Sequence, residues 1–179
     1  MIELRGDHVF LRGFRPEEVA VALERMQTLP ATEPMNEMDE AATAERRERL
    51  ERSGEQNGWE IMLAVEADGR LVGDVQGRCP RFALPPGVWE LGIELWDAAD
   101  RGRGIGRETI ALLSSHLFDR EYAIRVQATT DVDNVSMRRV LEVLGFDFEG
   151  ILHGFMPDAV GPPRDYAMYG VTRGGWGAR

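Results

Sequence analysis

The sequence predicts a mixed α/β fold, on three observations. Short runs of alternating apolar residues recur along the chain, as strands with one buried face require. Residues 105–118, and again the stretch after Asn134, repeat their apolar residues at helical spacing instead. The two patterns interleave as β-α-α-β-β-β-α-β-α-β-β, an order that reads as one sheet with helices packed on both faces.

Residues 8–12 form the first short strand. Pro16-Glu17-Glu18 opens a helix, since proline suits a first turn and acids there favour the helix dipole. Val19, Leu23 and Met26 continue it at helical spacing, and Pro30 and Pro34 close it. Residues 40–52 are a second helix, dense in Glu and Arg and read as a solvated face. Residues 59–65 and 70–77 are strands joined by a tight turn at Asp68-Gly69. Gly73 and Gly77 permit bulges in the second of them. Pro80, Pro85, Pro86 and Gly87 mark a loop. Residues 88–95 are the fourth strand. Trp89, Leu91, Ile93 and Leu95 lie on one face, and Glu90, Gly92 and Glu94 on the other. After the helix at 105–118 come a strand over 122–130 and a helix capped by Asp133-Asn134 and stopped at Gly145. A strand over 146–151, a loop over 153–163, a last strand over 164–171 and a Gly-rich tail complete the chain.

Composition limits the function. The 179 residues suit one domain, and 43% hydrophobic content suffices for an ordinary core. A net charge of −10 argues against a nucleic-acid partner and fits an amine-bearing one. Cys79 is the one cysteine, so no internal disulfide and no cysteine metal cluster can form. His8, His116 and His153 lack ligand spacing, so no metal is expected. No run reaches membrane-spanning length and no apolar signal core opens the chain, so a soluble, cytoplasmic protein is expected.

The most telling stretch is Arg101-Gly102-Arg103-Gly104-Ile105-Gly106-Arg107, between the fourth strand and the helix at 105–118. Glycines let a backbone approach a bulky ligand with bare N–H groups, and a helix start adds partial positive charge. The stretch reads as a phosphate socket. It is not the Rossmann fingerprint, because Arg107 stands where the third glycine belongs, and no Gly-Lys-Ser/Thr of a Walker loop occurs.

These residues carry a resemblance. Arg101, Gly104 and Gly106 match the Arg/Gln-x-x-Gly-x-Gly/Ala cofactor motif of the GNAT acyl-CoA transferase superfamily. Asp133-Asn134, followed by Val140-Leu141-Glu142-Val143-Leu144-Gly145-Phe146, is similar to its second motif, in the form found in the ribosomal-protein N-terminal acetyltransferase branch. The resemblance covers residues 88–152 well and implies a mostly antiparallel sheet of about seven strands, splayed between the fourth and fifth. It implies acetyl-CoA as co-substrate and no metal. Backbone groups of Glu94, Leu95 and Trp96 would hold the pantetheine arm, the N–H groups of residues 102–107 (Gly102, Arg103, Gly104, Ile105, Gly106 and Arg107) the diphosphate, and Asn134 the pantetheine or thioester side.

The implied reaction is direct attack of a primary amine on the thioester, in a small molecule or a protein N-terminus. Glu94 and then Glu90 are the candidate bases, because both point away from the strand's apolar row. A backbone N–H freed at a bulge of the fourth strand would hold the oxyanion. Many family members place a tyrosine seven residues after the motif asparagine and the ribosomal branch a serine three after it. Leu141 and Met137 stand there, so Ser136, with Tyr166 and Tyr169 of the last strand, are the remaining hydroxyls. Those two replacements also raise the alternative of a silent acyl-CoA-binding module, and the scaffold equally suits a larger donor such as succinyl-CoA. The acceptor pocket would be built from the first two helices and the 153–163 loop, with His153 beside it and Glu33, Glu37, Asp39 and Glu40 hinting at a basic substrate. Trp59, Trp89 and Trp96 read as core and cleft wall. Edge strands and apolar loop residues such as Phe155 and Met156 suggest a homodimer.

Overall fold

The computed structural model describes residues 1–28, 40–55, 57–79, 82–158 and 161–178. Pro30, Glu33, Pro34, Glu37, Asp39 and Pro80 lie outside the described residues. The strands are β1 (Leu4–Arg5), β2 (Val9–Arg12), β3 (Glu60–Ala67), β4 (Arg70–Arg78), β5 (Val88–Leu95), β6 (Arg125–Asp131), β7 (Asp147–Met156) and β8 (Arg164–Thr172). The helices are α1 (Pro16–Thr28), α2 (Glu40–Glu51), α3 (Ile105–Asp119), α4 (Val135–Val143) and α5 (Arg173–Gly177). All eight strands join one sheet, ordered β1-β2-β3-β4-β5-β6-β8-β7. Every neighbouring pair is antiparallel except β5 and β6.

Alternation along β3 sorts the core. Ile61, Leu63 and Val65 face one way and join Leu113 and Leu117 of α3. Met62 and Ala64 face the other way, against Val19, Leu23 and Met26 of α1 and Leu50 of α2. The sheet is thus covered on both faces, as the interleaved pattern predicts. Leu50 is the one buried residue of α2, so that helix is largely the solvated face its charge run implies.

Four boundaries depart from the sequence reading. The eighth strand, β1, has two residues, too few for a period to show. β6 starts at Arg125 rather than residue 122, because Tyr122 turns the chain at φ +55° and is 79% exposed. β7 continues to Met156, through the first four residues of the expected 153–163 loop. Its register slips between Leu152 and Met156, where Gly154 takes φ +59°. Asp165 spans the slip, accepting from Gly154 N–H at 2.7 Å and meeting His153 Nδ1 at 2.7 Å. The Gly-rich tail forms α5, capped by Thr172 Oγ1 and docked by Trp176, whose ring lies 5.9 Å from Phe118 and 6.1 Å from Phe146. Trp59 is 44% exposed and stands outside the core.

A buried ion cluster fixes β2 to α1. Arg12 donates to Glu18 at 2.7 Å and to Glu66 at 2.7 Å, with its side chain 7% exposed. Burial alone would raise the Glu18 carboxyl. Hydrogen bonds from Arg12 and the Arg15 N–H outweigh it and hold the group below its ordinary range. Such a carboxylate stabilises the fold above its unfolded pKa of about 4.3, and that share is lost as pH falls through the lower folded value. Arg12→Met leaves Glu18 and Glu66 together, with the half-exposed Arg15 as their one cation among the described residues. It should cost about 3 kcal/mol at pH 7, with the deficit shrinking in thermal melts taken near pH 3.

Candidate active site

The parallel pair β5 and β6 is brief. Residues 88–91 pair with residues 125–128, and the pairing then ends. β5 continues along β4 to Leu95, while β6 continues along β8 to Asp131. The sheet therefore opens at the C-terminal half of β5, where the splay is expected. β5 itself runs in unbroken register against β4. The bulge lies in β4 instead, where Val72 is the extra residue between Gly73 and Leu71 opposite β3. The expected bulge of the fourth strand is thus replaced by the splay alone as the source of unpaired strand backbone.

Alternation decides which groups of β5 reach the gap. Trp96 N–H donates to Val72 C=O at 3.1 Å, and the Glu94 carbonyl presses on Gly73, where an added Cβ would lie 2.0 Å away. Both point into β4. Of the three residues expected on the pantetheine arm, Leu95 turns its backbone to the gap, and its carbonyl meets Arg101 Nη2 at 3.3 Å.

Beyond β5 a 3-10 turn, Ala98–Asp100, leads to the glycines. Asp100 is 2% exposed and anchors the turn, accepting from Arg70 at 2.9 Å and from Arg103 at 3.0 Å. Arg103 also reaches Asp68 at 2.5 Å. Its charge is spent on two carboxylates, so of the three arginines Arg101 and the exposed Arg107 are left to colour the socket. Gly102 at φ +72° and Gly104 at φ +86° hold left-handed backbone, and Gly104 is the N-cap of α3. A Cβ on either would meet nothing within 4 Å. Among the described residues, no protein group accepts from the N–H groups of residues 102–107. An open hollow lined by successive bare amides at a helix start fits a diphosphate. Asn134 caps α4, its Oδ1 accepting from Met137 N–H at 3.1 Å, which leaves its amide NH2 for a ligand.

The opposite face of the sheet carries the acids. Cross-strand pairing puts Asp74 beside Glu94, Gln76 beside Gly92 and Arg78 beside Glu90, all on the face of α1 and α2. Gly92 stands between Glu90 and Glu94, and a Cβ there would again meet nothing within 4 Å. A hollow floored by bare backbone and flanked by carboxylates results. Glu90 meets Arg78 at 3.5 Å and Gln127 Nε2 at 3.3 Å. Glu94, 42% exposed, turns toward the socket and lies 3.8 Å from Arg101. An open cavity of about 450 Å³ between α2 and the ends of β3 and β4 is walled by Glu48, Arg49, Glu60, Met62 and Arg78. Arg78 in its wall donates to Glu90.

Asp74 was not among the expected site residues. It is 3% exposed, and burial pushes its carboxyl above the ordinary range against hydrogen bonds from Gln76 and the Trp96 indole, both at 3.2 Å. In the sequence it shows only as one acid inside the apolar run Leu71-Val72-Gly73-Asp74-Val75; register then puts it on the face of Met62 and Ala64.

The hydroxyl candidates separate. Tyr169 is fully buried on the α3 and α4 face, bonded to Arg138 at 3.2 Å and Glu142 at 3.1 Å. It is part of the core. Tyr166 lies opposite Asp131 on the Gln127 side of the sheet, its ring 5.6 Å from Phe155. Ser136 is exposed in the first turn of α4, beside the end of β6, and the cap is made by Asn134 instead. Leu141 is fully buried. His153 is engaged by Asp165, and Cys79 is buried.

The bare amides before α3 lie beside the place where the sheet opens, and acids line the sheet's other face. Comparison with known proteins shows the family. The model of the acetyltransferase (GNAT) domain matches residues 8–147, and the chain belongs to that family. It is an acyl-CoA-dependent acetyltransferase enzyme. No curated protein matches it. Among solved structures it is similar to Mycobacterium smegmatis RimJ in complex with CoA-disulfide, at 24% identity and TM-score 0.73, covering 96% of this chain and 86% of that one. It is similar to RimL, a ribosomal L7/L12 alpha-N-protein acetyltransferase in complex with coenzyme A, at 17% identity and TM-score 0.77, covering 96% and 98%. It is also similar to the ribosomal-protein-S5-alanine acetyltransferase of Vibrio fischeri, at 21% identity and TM-score 0.78, covering 98% and 99%. These likenesses are likenesses of fold. Among the described residues no helix is long and apolar enough to cross a membrane.

Proposed function

We propose that the chain transfers an acetyl group from acetyl-CoA to a primary amine within a ternary complex, as one transferase domain. The observation that carries this reading is the pair of hollows on opposite faces of the opened sheet, bare amides on one side and Gly92 between two carboxylates on the other. The diphosphate rests on the amides of residues 102–107, and the pantetheine runs past Leu95 toward the junction of β5 and β6. Asn134 supports it from α4. Ser136 is the hydroxyl on that side for the departing thiolate, and Tyr166 the one on the acceptor side. The amine enters over α2 and arrives above Gly92. An amine is cationic at neutral pH, so flanking carboxylates both attract it and accept its proton. Glu90 is the base and Glu94 the supporting acid, because Glu90 is fixed by two donors while Glu94 leans toward Arg101. A small amine or a peptide N-terminus satisfies this chemistry.

A screen of amines and N-terminal peptides for release of free CoA tests the reading. Glu90→Gln should lower kcat about a hundredfold with the KM for acetyl-CoA unchanged, and Glu94→Gln should cost less. Equal activity of Glu90→Gln and the parent chain would remove Glu90 from the role. Tight acetyl-CoA binding with no turnover anywhere in the screen would mark a binding module instead, and competition among acyl-CoAs reads the donor chain.

A further inference from the structure

Glu90 is held by a chain of side chains that begins three strands away, on β7. Arg125 of β6 grips Glu149 of β7 with both terminal nitrogens, at 2.6 and 2.5 Å. Its remaining Nε–H donates to Gln127 Oε1 at 3.1 Å. An arginine offers donors alone, so Gln127 has to turn its oxygen toward Arg125. The amide NH2 is then left facing Glu90, where Nε2 lies 3.3 Å from Oε2. Gln127 is 7% exposed, so water cannot easily substitute for either partner. The path is kept clear by Gly170 of β8, whose added Cβ would lie 2.3 Å from Arg125 Nη2. The same two hydrogen bonds from Arg125 hold Glu149 in place and keep its carboxyl below the ordinary range.

We infer that Glu149, Arg125 and Gln127 are positioning residues that set the orientation of the Glu90 carboxylate beside Gly92. The inference rests on Glu90 being the base. Each member acts through the next: Glu149 fixes the guanidinium, the guanidinium fixes the amide, and the amide gives Glu90 a donor. A carboxylate that meets a donor on each oxygen, Gln127 on one and Arg78 on the other, has one rotamer rather than several. None of the three needs to touch the amine or the thioester.

Two variants cut the chain without altering Glu90. Gln127→Met removes the donor that Glu90 needs and places no charge beside it. Gly170→Ala displaces the Arg125 guanidinium and removes no polar group. Each should lower kcat about tenfold, as loss of one hydrogen bond to a charged group does, with the KM for acetyl-CoA unchanged and the melting temperature within a few degrees of the parent. Added to Glu90→Gln, neither should cost anything further, because the group they position is gone. In a crystal structure of Gln127→Met the Glu90 side chain should leave its present rotamer. Parent-like kcat in both variants, with Glu90→Gln impaired, overturns the relay and leaves the base in place. If Glu90→Gln keeps full activity, the base is wrong. The relay is then decided by the crystal structure, where an unmoved Glu90 overturns it and a displaced Glu90 supports it.

Discussion

Replacing Gly104 by valine should abolish useful binding of acetyl-CoA. Two effects act together. The residue sits at φ +86°, where a Cβ strains the backbone by about 1–2 kcal/mol and a β-branched side chain strains it more. The space into which the side chain grows holds no protein atom within 4 Å, so nothing in the fold resists it and the diphosphate is displaced instead. Loss of two or three hydrogen bonds to a charged group amounts to about 4–6 kcal/mol, or a thousandfold or more in the dissociation constant. Calorimetric titration with acetyl-CoA measures it. Gly106 makes the informative contrast: it lies inside α3, and an added Cβ comes no closer than 3.9 Å to Ile93. Gly106→Ala should fold at least as well as the parent and lose far less affinity. Equal binding by Gly104→Val and the parent would mean that the glycines are there for the turn alone.

The sequence made the cradle legible because its signal is local. Left-handed backbone, a helix start and bare amides all follow from seven consecutive residues. The same holds for the helix cap at Asn134. What the sequence could not show was where long side chains go. Arg103 reads as part of a positive socket, yet Asp68 and Asp100 claim it from 35 and 3 residues away. Asp74 reads as a strand residue, and only cross-strand register places it beside Glu94 under the Trp96 indole. The sheet edge fared similarly. A strand of two residues has no period, and β7 passes through Gly154 by means of a side-chain clamp from Asp165, a partner that local pattern cannot supply. Pairing in space, rather than propensity, decided each of these.

Gly92 gives the second large effect, on the other substrate. Glycine in the middle of a strand weakens it, through backbone freedom and the missing side chain. Here φ is not left-handed and an added Cβ meets nothing within 4 Å, so nothing in the folded backbone requires glycine. Gly92→Leu should therefore raise the melting temperature slightly. It should also fill the hollow between Glu90 and Glu94 and keep the ammonium group from either carboxylate. Exclusion of that contact, with the steric overlap added to it, corresponds to at least about a thousandfold in kcat/KM for the amine. Binding of acetyl-CoA should be unchanged, because the bare amides proposed for the diphosphate lie at the start of α3, on the other face. A more stable protein that holds acetyl-CoA and cannot turn over would identify Gly92 as the floor of the acceptor site. Unchanged amine kinetics in Gly92→Leu would move the acceptor elsewhere, and both glutamates would lose their assigned roles with it.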